Sequence, residues 1–137
     1  MLCFIAFILE AIAFFLNSNN PQFSVAPLDN KTKIFFCLLN FILSAFFEEV
    51  IYRLYLPQQI KRFFSNIHNE KIKKYIPELI TIILFALAHK YLGIYAIINA
   101  FFACIILRIC YIKTQNIFTN TFAHFLYNIT SLIILII

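Results

Sequence analysis

The chain has 137 residues, 63% of them hydrophobic, with one Gly and no Trp. That excess of apolar residues excludes a soluble domain of this size and predicts a bilayer as the solvent. The formal net charge is +5, but the basic residues fall between apolar runs, where they encode membrane orientation, so no nucleic-acid partner is expected.

A spanning helix takes about 20 mostly apolar residues. Apolar runs fall at 2 to 16, 34 to 56, 76 to 89, 94 to 112 and 117 to 137, which predicts an all-α, polytopic bundle of four or five transmembrane helices. The first run has no Lys or Arg ahead of it, carries Glu10 and lacks a small-residue cleavage pattern; it reads as a retained membrane helix and not as a signal peptide. The stretch "NSNNPQFSVAPLDNKTK" that follows has the Asn, Ser and Pro content of a solvated loop. It divides residues 1–33, a membrane helix with an external loop, from a core at 34–137. Lys61, Arg62, Lys71, Lys73 and Lys74 follow the second run and place that connection in the cytoplasm. Counting back through the helices, the N-terminus is cytoplasmic too, in a multi-pass protein of the cell membrane. Cys3, Cys37, Cys104 and Cys110 lie singly inside apolar runs, as packing residues do, without the spacing of a zinc site or a redox CxxC. The Ile, Phe, Asn and Lys bias is that of an AT-rich bacterium.

Ionisable groups at membrane depth cost roughly 2.5 kcal/mol or more on insertion scales, so each needs a reason. Those within the apolar runs are Glu10, Glu48, Glu49, Arg53, His89, Arg108 and His124. In "SAFFEEVIYR", Glu49 and Arg53 are four apart with the acid first, the favourable order for an ion pair on one helix face. Glu48 lies about 100° round the helix, leaving it without that partner. "FALAH" sets Phe85 and His89 on one face, and "HFLYN" does the same for His124 and Asn128. Imidazole titrates near neutral pH, and a carboxylate beside it can deprotonate a water held between them. Counted from Leu56, Ile76 and Ile117, Glu48 lies about 12 Å deep, His124 about 10 Å, and His89 about 20 Å. Arg108, near a helix end, is expected to snorkel or to meet Glu10. Ser44, four residues before Glu48, is expected to pack or bond its own helix.

"EEVIYR", "FALAH" and "HFLYN" fit EExxxR, FxxxH and HxxxN in that order. The set resembles the CPBP family, the CAAX proteases and bacteriocin-processing enzymes also called Abi, over residues 34 to 132. The resemblance implies an intramembrane endopeptidase that hydrolyses a membrane-tethered or leader-bearing peptide with a glutamate-activated water and no metal. By similarity, Glu48 is the general base, and His89 holds and polarises the water. His124 and Asn128 stabilise the oxyanion, Glu49 and Arg53 form the structural pair, and Phe85 packs the site wall. No cofactor is implied; a zinc-dependent version of the same Glu48, His89 and His124 site is one alternative, and a catalytically silent binding or immunity protein is another. The expected partners are a membrane-associated peptide or protein substrate and the bilayer, with a second copy or a partner subunit to close the cavity of so short a chain. The chain departs from the family in having fewer helices and in Gln115, where the turn before the last helix often has Gly.

Overall fold

The computed structural model describes residues 31–136, all of whose ordered elements are helical. The expected first membrane helix, Glu10, Cys3 and most of the external loop lie outside the described residues. Helix α1 runs continuously over Lys31–Phe63, α2 over Glu70–Ala88, α3 over Ile94–Thr114 and α4 over Ile117–Ile136. The N-terminal part of α1 packs on α4, α4 on α3, α3 on α2, and α2 on the C-terminal end of α1, so the four helices form a closed ring. By length and composition α1 and α3 each suffice to cross a membrane.

Two helices outrun their apolar stretches. Beyond Leu56, α1 continues as the amphipathic segment "LPQQIKRF". At the other side of the short connection, Asn69 accepts from the backbone N–H groups of Lys71 and Ile72 at 3.0 and 3.3 Å, a cap that starts α2 at Glu70 and not at Ile76. Pro77 thus sits inside α2. This corrects the depth reckoning. From the shared end at Phe63 and Glu70, Glu48 and Phe85 each lie about 22 Å along their helices, at one level, and His89 is one turn further. Counting from Leu56 shortens the path to Glu48 by about 10 Å, and counting from Ile76 shortens that to His89 by about 9 Å.

Within α1, Val50–Tyr55 is a π-helical turn. Its cause is legible in Pro57, which has no N–H to give to the carbonyl of Arg53 four residues back and whose ring crowds that carbonyl. The turn widens to i→i+5 bonding, as in the bond from Leu56 N–H to the Ile51 carbonyl. The orphaned Arg53 carbonyl instead accepts from Arg108 Nη1 of α3 at 3.4 Å. Arg108 also donates to Glu78 of α2. It is therefore an interhelical tie and not a snorkelling residue: the free carbonyl of α1 and the carboxylate of α2 both face it.

The α3–α4 connection turns at Gln115, which caps α3 in the left-handed region at φ 49°, ψ 25°, and Asn116 then caps α4 by accepting from the N–H groups of Phe118 and Thr119. A residue with a Cβ is strained at that φ, whereas glycine is not. Gln115→Gly is expected to stabilise the fold by about 0.5–1 kcal/mol, the relief being offset by glycine's extra chain entropy. Thermal unfolding in detergent checks this.

The helices close on a small cluster. Phe85 of α2, 2% exposed, packs against Ala100 and Cys104 of α3, with Tyr52 of α1 and Ile82 alongside. Small side chains on α3 let the helices approach closely. Cys37 and Cys110 are free and partly buried, as packing residues would be.

Candidate active site

The π turn of α1 sits beside Phe85, and there the polar residues converge. Glu49 is fully buried, and its carboxylate is saturated. Oε2 accepts from Arg53 Nε at 2.9 Å and from Asn120 Nδ2; Oε1 accepts from Arg53 Nη2 at 3.3 Å and from His124 Nδ1 at 2.9 Å. A carboxylate has about four acceptor positions, and all are taken. The ion pair foreseen between Glu49 and Arg53 is thus the centre of a larger network. Arg53, 3% exposed, also donates from Nη1 to Cys104 Sγ at 3.0 Å and stacks its guanidinium 5.5 Å from the Phe85 ring centre. Cys104 is therefore more than packing: it terminates the hydrogen bonding of the buried cation.

Glu48 is differently placed. Its side chain is 25% exposed; Oε1 accepts from Ser44 Oγ at 2.9 Å, while Oε2 is buried and has no hydrogen-bond partner among the described residues. The Nε2 atom of His124 stands 3.8 Å from that Oε2. Because His124 Nδ1 must carry a proton to bond the Glu49 carboxylate, Nε2 of the neutral ring offers a lone pair. Two acceptors then face each other, just too far apart for a direct bond and suitably spaced for a shared donor such as water.

His89 ends α2. Its own N–H turns to the Ala86 carbonyl at 3.1 Å, and the Phe85 carbonyl, left without the usual i+4 partner, receives the His89 ring through Nδ1 at 2.9 Å. A carbonyl can only accept, so Nδ1 carries a proton and, in the neutral ring, Nε2 offers a lone pair. The Phe85 ring lies 4.9 Å from the His89 ring and 6.1 Å from the His124 ring, centre to centre, with Tyr52 edge-on at 5.0 Å. Phe85 is accordingly the hub shared by both histidines and Arg53, and not just a wall.

Glu48, Glu49, Arg53, Phe85 and His124 come together directly, and His89 joins them through Phe85. Asn128, one turn beyond His124 on the same face, is half-buried and makes no hydrogen bond among the described residues. No group of three or more His, Cys, Asp and Glu residues is arranged to hold a metal ion among the described residues. Sequence reasoning missed Asn120, which is fully buried. The signal was available, since "NTFAH" sets Asn120 and His124 four apart on one face. Asn120→Ala removes a hydrogen bond to a charged acceptor and is expected to cost about 2 kcal/mol. Thermal unfolding of the variant in detergent checks this; an unchanged midpoint would mean that the amide contributes little to holding Glu49.

A helix ring that buries Glu49, Arg53 and His124 among lipid-length apolar segments defines a membrane protein with a polar centre. A profile of the Rce1-like family, type II CAAX prenyl endopeptidases, matches residues 30–130, and the chain belongs to that family. It is thereby a membrane protein of the endopeptidase class. No curated protein and no solved structure matches the chain significantly.

Proposed function

We propose that the chain is a multi-pass intramembrane endopeptidase in which Glu48 activates the water that attacks a peptide bond of a membrane-tethered substrate. The observation that carries this is the contrast between neighbours: Glu49 has every lone pair engaged, whereas Glu48 keeps one buried oxygen, unpartnered among the described residues, facing His124 Nε2.

A water between Glu48 Oε2 and His124 Nε2 gives one proton to Glu48 as its oxygen bonds the scissile carbonyl carbon. Glu48 then delivers that proton to the departing amine as the C–N bond breaks, so no covalent enzyme intermediate and no cofactor is needed. His89 holds and polarises the same water when its Nε2 carries a proton to donate to the water oxygen. The second proton of the water shifts to His124 Nε2, so that His124 and the Asn128 amide donate to the oxyanion, a contribution of about 3 kcal/mol per donor. His124 returns this proton to solvent as the carboxylate product leaves. Glu49, anchored by Arg53, sets the ring of His124 so that Nε2 is the nitrogen presented to the substrate. Few water molecules reach such a site, and fixed donors act more strongly there than in bulk water.

The substrate class is a lipid-anchored or leader-bearing peptide, prenylated or not. The basic connection after α1 faces the cytoplasm by the positive-inside rule, and a second copy or a partner subunit completes the cavity. The test is cleavage of a library of membrane-anchored peptides, with and without prenyl groups, by the protein reconstituted in lipid vesicles. Wild type is expected to cut, Glu48→Gln not, and a strong zinc chelator should leave the rate unchanged. Loss on chelation would transfer the same residues to a metal mechanism, and a folded wild type that cuts nothing would leave a binding or immunity role instead.

A further inference from the structure

Four helical hydroxyls among the described residues share one habit, and Ser44 departs from it. Thr81, Thr114, Thr130 and Ser131 each donate to the backbone carbonyl four residues back, at 2.8, 3.0, 2.8 and 3.1 Å, the usual way a hydroxyl satisfies itself in an apolar helix. Ser44 donates forward, to Oε1 of Glu48 at 2.9 Å. Both residues are half-buried, and Ala45 between them is fully buried against the bundle.

From this geometry we infer that Ser44 is a positioning residue: its hydroxyl holds the Glu48 carboxylate by Oε1 and so selects Oε2 as the oxygen that faces His124. The inference rests on the proposed role of Glu48 as base and adds the group that orients it. Glu48 is otherwise held weakly. Arg53 is committed to Glu49 and Cys104, and His124 uses Nδ1 on Glu49 and stands 3.8 Å away through Nε2. Without Ser44, the Glu48 side chain can rotate so that either oxygen, or neither, meets the water. A forward hydroxyl bond on one helix costs little, because both groups are on the same rigid face. It also occupies one of the two acceptor positions of Oε1, which leaves Oε2 the more open oxygen.

The same geometry disfavours Ser44 as a nucleophile. Its proton already points to a carboxylate oxygen on its own helix, and no histidine contacts its Oγ among the described residues.

The experiment compares wild type, Ser44→Ala, Ser44→Thr and Glu48→Gln in lipid vesicles, by steady-state cleavage and by infrared spectra of protein carrying ¹³C-labelled glutamate carboxyls. Subtracting the Glu48→Gln spectrum isolates the Glu48 carboxylate band, a readout that needs no substrate. Ser44→Ala is expected to lower kcat about tenfold with KM changed less than about twofold, as misplacement of a catalytic group does. The Glu48 band should shift, and Ser44→Thr should restore both kcat and the band. An unmoved band in Ser44→Ala overturns the inference, whether or not a substrate has been found, because the hydroxyl then does not hold the carboxylate. A shifted band with unchanged kcat also overturns it, since orientation would not matter to the rate. Complete inactivity of both Ser44→Ala and Ser44→Thr, with covalent labelling of wild type by a fluorophosphonate at Ser44, would make Ser44 a nucleophile instead. Full activity of Glu48→Gln would sink the proposed base itself, an outcome separable from failure at Ser44.

Discussion

Glu48→Gln is expected to lower kcat for peptide cleavage by about a thousandfold, within the range typical of removing a general base, while leaving the fold intact. The amide is isosteric with the carboxylate and can still accept from Ser44, yet it cannot take a proton from water. The side chain is partly exposed and makes one hydrogen bond, so little stability depends on its charge. The neighbouring substitution should behave in the opposite way. Glu49→Gln replaces an acceptor by an NH2 group in a fully buried site where four donors converge, so at least two donors lose their partner, at roughly 1–3 kcal/mol for each unsatisfied group. Single-turnover cleavage in vesicles, paired with thermal unfolding of each variant in detergent, separates the two. If Glu49→Gln were the inactive but stable variant and Glu48→Gln the unstable one, the assignment of roles would be reversed.

Arg53→Met is expected to destabilise the protein by about 3–5 kcal/mol, the cost of stranding one member of a buried ion pair. The side chains of Arg53 and Glu49 are 1% and 0% exposed, and their closest approach is 2.9 Å. Methionine fills the stem of the arginine but gives Glu49 neither of the two bonds it loses, and it leaves Cys104 Sγ without its donor. The loss should be nearly independent of added salt, because buried pairs are little screened. Combining it with Glu49→Leu should recover only part of the stability: the unpaired charge is gone, but His124 Nδ1 and the Asn120 amide then face an apolar chain. Equilibrium unfolding of the single and double variants measures this. Full recovery in the double variant would mean that Asn120 and His124 find other partners, and that the network is less closely coupled than its distances indicate.

The membrane setting, the all-helical class and the motif residues were legible in the linear chain because each depends on local order. Long apolar runs define helices that lipid will accept, and four-residue spacing puts Glu49 with Arg53, Phe85 with His89, and His124 with Asn128 on common faces regardless of what packs against them. The helix starts at Ile94 and Ile117 also coincide with the starts of apolar runs. The continuation of α1 to Phe63 and the start of α2 at Glu70 were hidden, because polar turns at a helix end look like loop when hydropathy alone is read. The π turn had a local cause in Pro57, yet its consequence, the freed Arg53 carbonyl, has meaning only through Arg108 on another helix.

What only the tertiary structure decided is which donors meet which carboxylate. Spacing along one helix distinguishes Glu48 from Glu49 by their angle to Arg53 and by Ser44 four residues before Glu48. The saturation of Glu49 by Asn120 and His124, the approach of His124 to the free oxygen of Glu48, and the seating of Phe85 against His124 and Arg53 all arise between residues far apart in the chain. Hydropathy and helical period carry no information on such pairings: they follow from how the ring of helices closes on the small side chains of α3, which brings α1, α2 and α4 within hydrogen-bonding reach.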